Sequence, residues 1–153
     1  MIKAVFFDLY NTLAGFRPSR FEIQSRALKD FGITPTNKGI LKGYALADKF
    51  MASQKSIMPL ENLSKHESDH FFAKYESLIL EGDDIKIPIE QCAKIWNTIT
   101  KIPYQMTLYD DVLPVLTEFK NLHLRLGMIS KMGTPGMTLS KEMGLNKIID
   151  LSI

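Results

Sequence analysis

The first thirteen residues, Met1-Ile-Lys-Ala-Val-Phe-Phe-Asp8-Leu-Tyr-Asn-Thr-Leu13, decide the fold of this chain. Ala4 to Phe7 form an apolar run that is too short for a helix and rich in strand-forming residues. We predict a strand buried on both faces, as parallel sheets require. The run ends in Asp8, and open α/β sheets bind ligands just beyond the carboxyl ends of their strands. Asp8 is therefore a candidate nucleophile or metal ligand, and the alternative is that it only opens a turn.

The composition indicates an ordinary globular protein with one domain, or a small core with an inserted module. Of the 153 residues, 45% are hydrophobic and 24% charged, and the formal net charge is +2. Because the basic residues are scattered, we predict neither a nucleic-acid nor a membrane partner. The single cysteine, Cys92, suits a reducing compartment, and the apolar runs are too short to span a bilayer. We therefore expect a cytoplasmic protein.

Between the first strand and residue 103, the apolar residues recur at helical spacing. Ser19 and Glu22 fit a capping box that opens the first helix, which stops at Gly32. The spacing predicts three further helices, over about 37–54, from Pro59 to Gly82, and from about Ile89 to Pro103. Such amphipathic helices are expected to pack as a small bundle.

Strand and helix patterns alternate again after residue 103. Asp110 and Asp111 can cap a helix that contains Val112, and Leu124 to Ile129 form a second apolar strand. A third strand is predicted to begin at Ile148. Alternation of this kind indicates parallel strands joined by crossover helices. Ser130 follows its strand as Asp8 ends its own, so both side chains are expected at one edge of the sheet.

These residues resemble the haloacid dehalogenase-like hydrolase superfamily. The Asp-x-Tyr-x-Thr pattern of Asp8, Tyr10 and Thr12 is similar to the first motif of its 2-haloacid dehalogenase branch, and the strand ending at Ser130 is similar to the second motif. The phosphatases usually carry an Asp where Tyr10 stands. Lys131 departs from the usual Asn. The resemblance covers essentially the whole chain.

The resemblance implies a Rossmann-like α/β core of residues 1–14 and 104–153, with a helical cap inserted at 15–103. It implies that Asp8 attacks the substrate and forms a covalent intermediate, which water hydrolyses. Tyr10 and Thr12 would belong to the catalytic group, and Ser130 would hold the anionic part of a small substrate. Asn11 and Lys131 would assist in substrate binding.

Two enzyme alternatives stay open. A dehalogenase needs no cofactor, whereas a phosphatase would use Mg²⁺ with Asp8 as a ligand. Tyr10 argues against the phosphatase, because a phenol with a pKa of about 10 protonates a leaving group poorly at neutral pH. The third and fourth motifs of the superfamily, a Lys and an acidic pair, would lie beyond the strand near Ile148, where three residues remain. We therefore expect an incomplete core and a truncated chain that lacks activity as given, with at most a binding role.

One competing pattern is His66-Glu67-Ser68-Asp69-His70, which matches the His-Glu-x-x-His signature of zinc proteases. Glu90 could be proposed as a third ligand. The surrounding residues are wholly polar, which is typical of a solvated helix face. We therefore favour the haloacid dehalogenase-like interpretation over a zinc protease.

Overall fold

The computed structural model describes residues 2–131 and 133–153, so Met1 and Met132 lie outside the described residues. The chain divides into two compact units. One, which we call the sheet unit, comprises Met1–Arg17 and Tyr104–Ile153, and the other, the helical unit, comprises Pro18–Pro103. The predicted α/β class, with a parallel sheet and a helical region, is confirmed. In the described ranges, no helix is both long and apolar enough to cross a membrane.

The sheet unit is built on a parallel sheet of three strands. Strands β1 (Ala4–Asp8), β4 (Arg125–Ile129) and β5 (Leu151–Ser152) lie in the order β1-β4-β5. The register pairs Ala4 with Arg125 and Asp8 with Ile129, so β1 and β4 end at the same level. Helices α5 (Val112–Asn121) and α6 (Gly136–Glu142) make the connections between these strands.

One face of this sheet carries the core of the unit. Leu126 and Met128 are fully buried there, and the ring of Phe7 stacks on that of Phe119 at 5.9 Å. On the other face, Phe6 is 50% exposed and its ring lies over Gly127. The prediction that β1 is buried on both faces is therefore wrong. β1 is an edge strand whose alternate side chains face in and out of the core.

The third strand begins later than predicted. Ile148 and Ile149 lie in a turn, and β5 starts only at Leu151. Asp150, immediately before β5, accepts a hydrogen bond from the backbone N–H of Leu126 at 2.8 Å. Ile149, two residues before β5, is buried in the core of the sheet unit.

A second, two-stranded sheet was not predicted. Strands β2 (Ala14–Arg17) and β3 (Gln105–Leu108) pair antiparallel, with Phe16 opposite Met106. Local sequence patterns do not predict this pairing, because the whole helical unit separates the two four-residue strands in sequence. Helix α5 begins after Asp111 as expected, although the Asp111 side chain makes no capping hydrogen bond.

The helical unit contains α1 (Arg20–Lys29), α2 (Asn37–Ile57), α3 (Lys65–Glu81) and α4 (Ile89–Ile99). The capping box of Ser19 and Glu22 is present at α1. Helix α3 begins later than the predicted Pro59, because Ser64 and Glu67 form a second capping box and a short 3₁₀ helix (Leu60–Asn62) precedes it. Side chains with less than 1% exposure in this core include Leu28, Ile40, Ile79 and Ile95.

Helices α2 and α3 approach so closely that only glycine fits between them. A Cβ atom on Gly43 would overlap the backbone carbonyl of Ile79, and one on Gly82 would overlap the backbone N–H group of Gly43. The obstructing atoms belong to the backbone and cannot rotate away. The close approach of these two helices therefore depends on glycine at both positions.

Candidate active site

Asp8 and Ser130 lie at the ends of neighbouring strands because of the strand register. Asp8 is the last residue of β1 and pairs with Ile129, the last residue of β4. The backbone N–H of Leu9 donates to the Ile129 carbonyl at 3.2 Å, so the pairing continues past Asp8. Ser130 directly follows Ile129, and its own N–H donates to the Ile153 carbonyl at 2.9 Å. The exposed Asp8 and the half-buried Ser130 thus occupy the carboxyl ends of neighbouring strands.

The loop that follows Asp8 is held by the Leu9 carbonyl. That oxygen accepts hydrogen bonds from the N–H groups of Leu13 and Ala14, each at 2.9 Å, and from Thr12 at 3.4 Å. Asn11 has a φ of 62°, a left-handed conformation that asparagine tolerates better than most residues. Asn11 and Thr12 are exposed at the tip of this loop. The loop is therefore a compact turn anchored at the fully buried Leu9.

Tyr10 begins a row of aromatic rings in the sheet unit. Its ring lies 5.2 Å from that of Phe16, which in turn meets the ring of Tyr104 edge-on at 5.0 Å. Tyr10 and Phe16 are half-buried, and Tyr104 is 59% exposed. Sequence reasoning identified Tyr10 but missed the other two rings, because their proximity depends on the β2–β3 pairing.

The cations near these residues differ in their surroundings. Lys131 is exposed immediately after Ser130, and Arg17 is exposed at the end of β2. In the helical unit, Arg20 forms an ion pair with Asp48 at 2.6 Å and lies 4.6 Å from the centre of the Tyr44 ring. Lys131 is therefore the basic side chain nearest in sequence to the strand ends that carry Asp8 and Ser130.

The described residues do not fit a preformed magnesium site. Within residues 2–131 and 133–153, no three His, Cys, Asp or Glu side chains are grouped as metal ligands. Mg²⁺ requires six oxygen ligands in near-octahedral geometry. Asp8 supplies a single carboxylate, so we derive no catalytic step through a metal.

The zinc-protease pattern forms the first turn of α3, where its glutamate has a structural role. Glu67 accepts hydrogen bonds from the backbone N–H of Ser64 at 2.8 Å and from the Ser64 hydroxyl at 2.5 Å. These hydrogen bonds, led by that of the hydroxyl, lower the pKa of Glu67. The carboxylate thus belongs to the N-terminal cap of the helix, and His66 and His70 lie exposed beside it.

Sequence reasoning also missed a buried polar cluster in the helical unit. Glu76 and Gln24 are fully buried, and the Gln24 amide donates to Glu76 Oε2 at 3.0 Å. The same amide lies 3.4 Å from the Tyr44 hydroxyl. Burial raises the pKa of Glu76 to about 7, against a partial lowering by the Gln24 hydrogen bond. The sequence feature that could have indicated this cluster is a Gln in α1 and a Glu in α3 among the apolar positions of the two helices.

Comparisons with known proteins give similar structures only. No family model matches the chain, and no curated protein matches it. One similar solved structure is a magnesium-bound protein from Bacillus subtilis described as a HAD-hydrolase, with 11% identity, a TM-score of 0.46, and coverage of 98% of this chain and 62% of that one.

Two further structures are similar to the same extent. A predicted phosphoglycolate phosphatase from Haemophilus somnus has 11% identity and a TM-score of 0.45, and a protein described as a dehalogenase has 12% identity and a TM-score of 0.44. Each alignment covers 98% of this chain and 61% of the other. The chain thus spans about three fifths of the length of the structures it resembles.

Proposed function

We propose that Asp8 is the nucleophile of a haloacid dehalogenase-like hydrolase that acts on a small anionic substrate, and that this chain, which spans about three fifths of the structures it resembles, lacks turnover on its own. One observation supports the proposal: the register pairs Asp8 with Ile129, so that β1 ends at Asp8 and β4 ends directly before Ser130 and Lys131, at the carboxyl ends of adjacent parallel strands. This is the edge at which open α/β sheets bind ligands. The helical unit would then correspond to the inserted cap of the superfamily.

The reaction that suits these residues is displacement of halide from a 2-haloacid. A carboxylate oxygen of Asp8 attacks the carbon that bears the halogen, and the carbon–halogen bond breaks with its electron pair leaving on the halide. Water then attacks the carbonyl carbon of the resulting ester. A 2-hydroxy acid leaves, the Asp8 carboxylate is restored, and one proton passes to solvent.

The neighbouring side chains would bind and orient the substrate. The Ser130 hydroxyl can donate a hydrogen bond and the Lys131 ammonium can supply positive charge, so together they suit the substrate carboxylate. Asn11, at the tip of the loop after Asp8, would contribute a further amide donor. Tyr10 stands where a general acid would be needed for a phosphate ester, and halide leaves without a proton. Thr12 would support the loop that aims Asp8.

The test is halide release from 2-chloropropanoate by this chain and by a longer form that contains it, with and without Mg²⁺. From the longer form we expect metal-independent release that Asp8→Asn lowers by about 10³-fold or more, the scale seen when a nucleophile is removed. Asp111→Asn is the matched control, because that exposed carboxylate in the same unit makes no capping hydrogen bond. A single turnover in ¹⁸O-labelled water should also place the label in the peptide that contains Asp8.

Two results would contradict this proposal. Release of phosphate from 4-nitrophenyl phosphate that needs both Mg²⁺ and Asp8 would replace the dehalogenase with a phosphatase that uses the same nucleophile. Absence of both reactions in a folded longer form, as well as in this chain, would overturn the hydrolase proposal for these substrate classes.

A further inference from the structure

The row of rings formed by Tyr10, Phe16 and Tyr104 is not part of the packed core of the sheet unit. That core, in the described residues, contains Leu9, directly before Tyr10, and Ala14, two residues before Phe16. Isolated exposed apolar side chains are normal on a protein surface. Three contiguous rings that end in a largely exposed tyrosine form instead a continuous aromatic surface.

This surface begins two residues after the proposed nucleophile. The turn from Leu9 to Ala14 links Asp8 to β2, where Phe16 lies, and a bridge between Tyr10 and Ala14 holds the start of the row against that strand. Tyr104 precedes β3, one position beyond the pairing of Gln105 with Arg17. Two neighbouring centre-to-centre distances of 5.2 Å and 5.0 Å join the rings without a gap.

We propose that these three rings bind a flat, unsaturated substituent of the substrate, so that the substrate is a small acid that carries an aryl group. The inference rests on the proposed function, because the acid group is assigned to Ser130 and Lys131. Aromatic rings prefer tilted and edge-on partners, and the rings of this row already meet in those arrangements. An aryl group of the substrate would pack against the row in the same tilted or edge-on arrangement.

Charge supports this occupant over a cationic one. Aromatic faces also attract cations. The exposed charged residues near the row along the chain include Arg17, directly after Phe16, and Asp8, two residues before Tyr10, and Lys131 follows the strand adjacent to β1. The two cationic side chains outnumber the one carboxylate, so they favour an anionic ligand over a cationic one. An acid with an aryl group would pack against the rings and be attracted by the cationic side chains.

The test compares two unreactive acids, phenylacetate and acetate, by protein-observed NMR titration. We expect phenylacetate to bind at least about tenfold more tightly, the scale of one good aromatic pair plus its apolar contact. Tyr104→Ala should reduce that preference severalfold and leave the affinity for acetate unchanged. Tyr104 is largely exposed, so its removal tests binding with little effect on folding. Leu122→Ala, at a 64% exposed apolar position of the same unit, is the control and should preserve the preference.

The outcomes separate this inference from the proposed function. Equal affinities for the two acids, or a preference that survives Tyr104→Ala and Phe16→Ala, would overturn the aromatic site even if Asp8 releases halide. A preference for phenylacetate that depends on Tyr104, when the longer form also hydrolyses no substrate, would support the aromatic site and remove the proposed catalytic role of Asp8. Chemical-shift changes confined to the helical unit would also overturn the inference.

Discussion

The two units of this chain shift the pKa of a carboxyl group in opposite directions. In the helical unit, Glu76 is fully buried between helices, and burial raises its pKa to about 7. In the sheet unit, Asp150 lies at the surface before β5, and hydrogen bonds lower its pKa to about 2. The comparison shows that the surroundings of a carboxyl group, and not its chemical type, decide which protonation state supports the fold.

The difference comes from burial at Glu76, which raises its pKa, and from hydrogen-bond donors at Asp150, which lower its pKa. Asp150 accepts first from the Leu126 backbone N–H, and also from Lys120 and Arg125. These donors favour the ionised form. Glu76 accepts from the Gln24 amide, while its Oε1 has no hydrogen-bond partner among the described residues. Its other polar neighbours are the Tyr44 hydroxyl, which faces the same amide, and the Cys92 thiol of α4. None of them is a cation.

The largest expected effect on stability comes from the close approach of helices α2 and α3, the second of which carries Glu76. Gly43→Ala should destabilise the helical unit by about 3 kcal/mol or more, because the new methyl group meets the Ile79 backbone. Urea unfolding followed by the fluorescence of Trp96, the one tryptophan in the sequence, measures this unit. Gly133→Ala, where a Cβ has open space, should change stability little. A tolerated Gly43→Ala would mean that the two helices are not held at this distance.

The second prediction is a pH dependence of the helical unit. Because the folded-state pKa of Glu76 is raised above its ordinary value of 4.5, its contribution to stability is fully present below pH 4.5. That contribution is lost as the pH rises to about 7, by up to about 3 kcal/mol. The measurement is Trp96-monitored unfolding at a series of pH values.

Variants of two glutamates on α3 sharpen this measurement. Glu76→Gln, which mimics the protonated form, should abolish the decline between pH 4.5 and 7. Glu81→Gln, at an exposed position of the same helix, should retain it. An equal decline in the Glu76→Gln chain would show that another group is responsible and that the contrast with Asp150 is misassigned.

The third prediction concerns Asp150 and has the opposite sign. Because its folded-state pKa is depressed below 3.8, its contribution to stability is present above pH 3.8 and lost as the pH falls to about 2. Asp150→Asn should lower the stability of the sheet unit at neutral pH by less than the two effects above, since the group is near the surface. Hydrogen exchange of the Leu126 amide is the direct probe, and that amide should exchange faster in the variant.

Asp110→Asn provides the comparison for Asp150, because Asp110 is exposed in the same unit. It should leave the exchange of the Leu126 amide unchanged. Unchanged exchange in Asp150→Asn itself would mean that the hydrogen bond from Leu126 to Asp150 does not protect the start of β4.

The smallest expected effect is at the start of α3. Ser64→Ala removes the hydroxyl that accepts from the Glu67 N–H at 3.3 Å and should destabilise the helical unit by about 1 kcal/mol. His66→Ala, at the exposed neighbouring turn, should change thermal stability by no more than about 0.5 kcal/mol. Stoichiometric zinc in the purified protein that is lost in His66→Ala would contradict the structural role of this turn.

Features that depend on residues close in sequence were predictable. The capping box of Ser19 and Glu22 is visible as a pair three residues apart, and the structure contains it. The ends of β1 and β4 follow from the change of apolar to polar residues at Asp8 and Ser130. From those ends, together with the parallel arrangement, the proximity of Asp8 and Ser130 could be expected before any coordinates were known.

Features that depend on distant residues were not predictable. Ring contacts from Phe16 to Tyr104 span the whole helical unit in sequence, as does the strand pairing that produces them. The Gln24–Glu76 hydrogen bond joins residues 52 apart on two helices. No periodicity within one helix reveals which polar residue will be enclosed by another.

The sequence by itself determined the order of the helices and of the three parallel strands, and which polar residues follow β1 and β4, because these depend on local backbone preferences and apolar patterns. Only the tertiary structure decided which face of β1 is covered, which rings form the row that begins two residues after Asp8, and which carboxyl group is buried. Those outcomes depend on the packing of segments far apart in the chain, where burial and hydrogen-bond donors come from other elements.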